Sequence, residues 1–214
     1  MDFPLSDLPE DQRLALAYAP RRALSATMVV LALDARLAMI LRKRREVVLA
    51  QVRLAWWREM LARPRAEWPA GDPVLDALAQ WTDCRGLVPL VDGWEALLAD
   101  DLTPGAIHTF IDGRAAAFVA LAEELGVANG HAVAGSARIW AAADLAAHLS
   151  DQAERRMVID VGLTLPRPAR LSRQMAPLAV LAALGRDALR RDGAALLDGP
   201  KSALLALRTG LFGR

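Results

Sequence analysis

The chain has 214 residues, 26 basic and 25 acidic side chains, and a formal net charge of +1. That length suits one domain, residues 1–214, with a core large enough to need no covalent staples. Alanine and leucine supply 79 residues against 25 for valine, isoleucine and threonine. This excludes a β-rich fold, and the balanced charge gives no general pull toward nucleic acid.

The chain reads as helix, short break, helix. Asp7 and Pro9 open a first helix that ends near Tyr18. Pro20 stands where a helix-starting proline belongs, and a long apolar helix runs from it to about Arg42. The basic run Arg42-Lys43-Arg44-Arg45 follows, then a helix from about Glu46 to Arg63. Val47, Ala50, Leu54, Trp57 and Leu61 give that helix its apolar face at helical spacing. Pro64–Gly71 is a loop. Asp72-Pro73 caps a helix to about Asp83, and another spans about Val88–Ala99. Thr103-Pro104 caps a long helix to Leu125, with Gly126 as its stop. Asn129 opens a helix to about Leu149. Asp151 and Glu154 have capping-box spacing for a short helical turn. Val161–Arg170, with its prolines, reads as a break. Ser172 then caps a helix to about Arg191, and a last helix runs from near Pro200 to Phe212. The expectation is a compact all-α single domain.

The single cysteine, Cys84, cannot form an internal disulfide, so a reducing, cytoplasmic setting is expected. The acidic start of the chain has no apolar signal core. Ala23–Leu41 is the most apolar stretch, but Asp34 and Arg36 interrupt it, so no membrane-spanning helix is expected. The positive mean hydropathy, +0.22, leaves peripheral membrane contact open, and the basic run could meet anionic head groups or a diphosphate.

Polar residues on apolar faces carry the functional signal. Asp34 shares a face with Thr27, Val30, Leu37 and Leu41. Asp144 shares one with Ala137, Trp140, Ala141 and His148. Arg53 and Arg58 flank the apolar face of Val52, Trp56 and Trp57. A buried carboxylate needs a partner. Either each aspartate pairs with an arginine such as Arg53, Arg58 or Arg138, or both face a shared polar cavity inside the bundle. Asp34, Arg53, Arg58, Asp144 and His148 are the candidate polar residues of such a cavity, and Trp56, Trp57 and Trp140 its candidate aromatics. The pairs Asp100-Asp101 and Glu123-Glu124, and His108, His131 and Cys84, read as structural or surface residues.

Three segments together resemble the squalene/phytoene synthase family: Tyr18-Ala-Pro-Arg-Arg-Ala, Leu33-Asp34-Ala35, and Gln51-Val-Arg-Leu-Ala-Trp56-Trp57-Arg58-Glu59. The likeness extends to Gly135–Leu149 and Leu165-Pro166 and is most specific over Gln51–Glu59. It implies a shortened isoprenoid-synthase bundle with a central cavity. The active enzymes join two prenyl diphosphates, using two aspartate-rich motifs on facing helices that hold Mg²⁺. This chain departs from that pattern twice. Leu37 and Ala38 stand three and four residues after Asp34, and His148 four after Asp144. The divergent branch that contains the complex I assembly factor has similarly eroded motifs. The resemblance thus implies a non-catalytic protein without catalytic residues, metal or cofactor, peripheral to an inner membrane, that binds a protein or prenyl-lipid partner. An active Mg²⁺-dependent prenyltransferase and an unrelated helical interaction protein are the alternatives.

Overall fold

The computed structural model describes residues 8–42, 47–168 and 170–213. Among them are ten α-helices: α1 (Glu10–Leu16), α2 (Arg21–Arg42), α3 (Val47–Ala62), α4 (Pro73–Leu78), α5 (Val88–Ala96), α6 (Pro104–Glu124), α7 (Gly130–His148), α8 (Gln152–Thr164), α9 (Ala176–Arg190) and α10 (Pro200–Phe212). No strand occurs in the described residues, so the all-α single domain is observed. Asp7 and Lys43–Arg45 lie outside the described residues.

The caps explain most boundaries. Asp72 accepts from the backbone N–H groups of Val74 and Leu75, Thr103 from Ala106, Asn129 from Ala132, and Asp151 from Ala153 and Glu154. Each such cap contributes about 1 kcal/mol by satisfying orphan donors. Three expectations differ from the observed helices. The helix capped by Asp72 ends at Leu78 rather than near Asp83, because the backbone tightens into i→i−3 bonds at Gln80 and Trp81. The turn opened by Asp151 continues as a full helix to Thr164. Its last carbonyls, those of Gly162 and Leu165, accept from the Arg186 guanidinium, which carries the helix into a stretch that its prolines suggested would be irregular. Ser172 makes no side-chain cap; a 3₁₀ turn at Arg173–Met175 leads into α9 instead.

Helices α6 and α7 form the centre. α5 and α7 flank α6, while α9 and α8 cover α7. α7 is buried nearly all round, from Ala132 to Ala146, because its Ala141-Ala142-Ala143 run lets neighbours approach from several sides. α2, by length and apolar composition, could cross a membrane. In the fold it packs on α6, α5 and α3 with Val29, Val30, Leu33 and Leu37 buried.

Glycine fixes the closest helix contact. A Cβ at Gly113 of α6 would stand 2.2 Å from the Pro89 carbonyl oxygen and 3.3 Å from Gly93 Cα, both in α5. The obstructing atoms are backbone and cannot rotate away. Gly113→Ala is therefore expected to destabilise the fold by about 3 kcal/mol or more, read as a Tm lowered by roughly 6–12 °C in thermal denaturation. An unchanged Tm would mean that α5 and α6 separate without cost.

Candidate functional site

A charged cluster lies where α2, α6 and α7 meet. Arg114 comes from α6 and is 2% exposed. Its Nε donates to Asp34 Oδ1 at 3.0 Å and its Nη2 to Asp34 Oδ2 at 2.7 Å, a bidentate pair. Its Nη1 donates to Asp144 Oδ2 at 2.6 Å. Asp34 Oδ1 also accepts from Trp94 Nε1 of α5 at 2.8 Å. One guanidinium thus joins two carboxylates from two other helices. Its carbon stands 4.4 Å from the ring centre of Trp140, 4.8 Å from Phe110 and 5.2 Å from Trp94. Those π faces favour a buried cation that has left water.

Burial works against the Arg114 charge, yet the two carboxylates more than offset it and hold its pKa above the ordinary arginine value. Burial pushes the Asp34 carboxyl up, against the pull of Arg114. Asp11 of α1 is 9% exposed, and its pKa is pushed up to about 6, first by burial and then by the charge of Asp144. His148 closes α7, with its Nδ1 2.8 Å from the Asp144 carbonyl oxygen. A carbonyl only accepts, so the proton resides on Nδ1.

Around this cluster is a cavity of about 530 Å³. Asp34, Arg114 and Asp144 form its polar floor; Ala35, Ala38, Met39, Phe110 and Leu145 give apolar wall; Arg42 and His148 also line it. Gln12 of α1 lines it too, 2% exposed, with its Oε1 lacking a hydrogen-bond partner.

Of the residues singled out from sequence, Asp34, Asp144 and His148 come together here. Trp140 joins them over the Arg114 guanidinium, and the others lie apart. Arg53 is exposed and lines a separate groove between α2 and α3. Arg58 pairs with Asp92 at 2.7 Å and with Glu95. Arg138 pairs with Asp112 at 2.7 Å. The arginine that meets the aspartates is Arg114 rather than any of these three. Trp56 and Trp57 line the α2–α3 groove, stacked edge to face at 5.1 Å, and Trp140 is wholly buried over the Arg114 guanidinium. Cys84 is buried, and burial pushes its thiol pKa up to about 11, which leaves it a poor nucleophile.

Sequence reasoning missed Arg114, Asp11 and Gln12. Arg114 carried a signal: it is the one Lys or Arg between Arg85 and Arg138, set among Phe110, Ala117 and Phe118 at helical spacing. No family model matches the chain, and no curated protein or solved structure matches it either.

Two outcomes follow from the cluster. Arg114→Met strands two buried carboxylates and is expected to cost about 3–5 kcal/mol or to abolish folding. The triple variant Asp34→Asn, Arg114→Met, Asp144→Asn removes every charge and is expected to recover most of that loss. Denaturant unfolding of both variants checks this; a triple variant no better than Arg114→Met would refute it. Asp11 titrates the other way from a salt-bridged acid. Its folded pKa of about 6 exceeds the ordinary 3.8. The folded state therefore binds a proton that the unfolded state has released, and stability falls as pH rises from about 4 to 6. Asp11→Asn is expected to add roughly 2–3 kcal/mol above pH 7 and little below pH 4. A gain of equal size at both pH values in paired denaturation curves would contradict it.

Proposed function

We propose that this chain is a non-catalytic relative of the squalene/phytoene synthases, with a shortened isoprenoid-synthase bundle, that acts by binding a protein or prenyl-lipid partner as an assembly factor does. The observation that carries the reading is the position of Arg114. In the enzymes to which the sequence is similar, carboxylates on facing helices hold Mg²⁺ between them. Here Asp34 of α2 and Asp144 of α7 hold a guanidinium that belongs to the protein itself.

The donor set does not suit a divalent ion. Both oxygens of Asp34 already accept from Arg114, and one also accepts from Trp94. No group of three His, Cys, Asp or Glu side chains with metal-binding geometry occurs among the described residues. With Arg42 the lining holds two carboxylates to two guanidinium groups, and Arg114 is already engaged by both carboxylates, so a diphosphate would meet no excess of positive charge from these four side chains. A prenyl chain that ends in a hydroxyl fits the cavity better: its body suits the apolar wall, and its O–H can donate to the unpartnered Gln12 Oε1.

The test has two parts. With farnesyl or geranylgeranyl diphosphate and Mg²⁺, the protein is expected to release no diphosphate and form no C30 or C40 product; such a product would overturn the reading in favour of an active prenyltransferase. With geranylgeraniol, the Tm is expected to rise, and Ala38→Trp, which fills the cavity, to abolish the rise. A shift that survives Ala38→Trp would place the lipid elsewhere.

A further inference from the structure

The second helix and the third meet at a corner whose outer surface has an unusual composition. Val48, Val52 and Trp56 repeat every four residues along α3, so they share one face. That face points outward: Val48 is 71% exposed, Val52 60% and Trp56 36%, and Leu49 and Met39 beside them exceed 40%. The opposite face of the same helix supplies Ala50, Leu54, Trp57 and Leu61 to the core. α3 is therefore apolar on both sides, and only one side is covered by the fold. Several large apolar residues in one exposed stripe mark an interaction surface rather than ordinary scatter.

Charge identifies what covers it. Residues 35–58 hold seven basic side chains and one acid, whereas the rest of the chain holds five more acids than bases. Arg42 at the end of α2 and Arg53 on α3 are exposed. Lys43, Arg44 and Arg45 lie outside the described residues and add their charge by sequence to the link between the two helices. Asp72, the one acid lining the α2–α3 groove, stands 3.7 Å from Arg36. An apolar stripe with a tryptophan, set among arginines, matches a surface that is negative at its head groups and apolar beneath them.

We infer that the α2–α3 corner is a docking surface for an anionic lipid bilayer, with Val48, Val52 and Trp56 entering the interface and Arg42 and Arg53 meeting the head groups. Met39 borders both the α2–α3 groove and the central cavity, so the cavity lies next to the face that the bilayer covers. The docking surface stands whether or not the cavity takes a prenyl chain.

The test is flotation of the full-length protein with vesicles of phosphatidylcholine alone and with about 30% phosphatidylserine. Recovery with the anionic vesicles is expected to be at least about tenfold greater, and to fall in about 0.5 M salt. Val48→Asp with Val52→Asp is expected to cut it at least about tenfold. These side chains are exposed, so the variant keeps its fold, which circular dichroism checks. Arg42→Gln with Arg53→Gln is expected to reduce binding to the anionic vesicles. Leu204→Asp with Leu207→Asp, on the exposed face of α10, is expected to behave as the wild type. Equal recovery on both vesicles, or equal loss in the α10 variant, would overturn the inference. So would a chain that binds neither vesicle while the α3 variant alters its mass in light scattering, which would assign the face to a protein contact.

Discussion

One buried arginine organises this molecule. Arg114 rises from the central helix and binds α2 through Asp34 and α7 through Asp144, and Asp34 in turn holds Trp94 of α5. Four helices therefore converge on a single set of hydrogen bonds. Burying three charges is expensive, and attraction alone seldom returns more than the desolvation cost. The cost is contained because three of the five guanidinium N–H groups have carboxylate partners and the aromatic rings of Trp140, Phe110 and Trp94 lie around the cation. What the cluster adds over an apolar core is geometry. Three directed bonds admit one relative placement of α2, α6 and α7, where a leucine cluster would admit several.

The close approach of α5 and α6 serves the same end. Gly113 precedes Arg114, and its missing Cβ lets α6 lie against the Pro89 carbonyl. That contact brings α5 near enough for the Trp94 indole to reach Asp34 across the α2–α5 junction. Phe110, one turn before Arg114, packs edge to face on Trp94 at 4.9 Å, which fixes the indole orientation that the bond requires. A small residue, an aromatic pair and an ion pair are thus parts of one packing solution.

Much of the fold was legible because its punctuation is local. Asp72, Thr103, Asn129 and Asp151 each satisfy backbone donors within three residues of themselves, so short sequence windows suffice to place those helix starts. α8 was underestimated because what holds its C-terminal turn is Arg186, more than twenty residues away. The site divides in the same way. Asp34 and Asp144 stood out as acids in apolar stripes. Their partner did not, because Arg53 and Arg58 on the helix after Asp34, and Arg138 on the helix of Asp144, are nearer the two aspartates in sequence. The sign of burial at Arg114 is the face that it shares with Phe110, Ala117 and Phe118, all of them buried. Gln12 and Asp11 gave no signal at all: α1 is only seven residues long, and its polar residues turn inward because α9 and α2 pack over it.

The net charge of +1 conceals a strong separation. The excess of positive charge is concentrated by sequence in residues 35–58, while the remainder of the chain is acidic. Two different electrostatic environments follow, and along α2 they lie about two helical turns apart, from Asp34 to Arg42. Inside, the cavity floor holds two carboxylates to one guanidinium, and Asp34 and Asp144 engage three of its five N–H groups. Outside, exposed arginines border uncovered valines and a tryptophan. The floor offers an anionic head group no excess of positive charge, whereas the corner does. The lipid that holds the protein at a surface and the molecule that enters the cavity are then expected to differ in the charge of their polar ends, although both present hydrocarbon. The two sites select by head group, and the apolar residues at each supply binding area without discrimination.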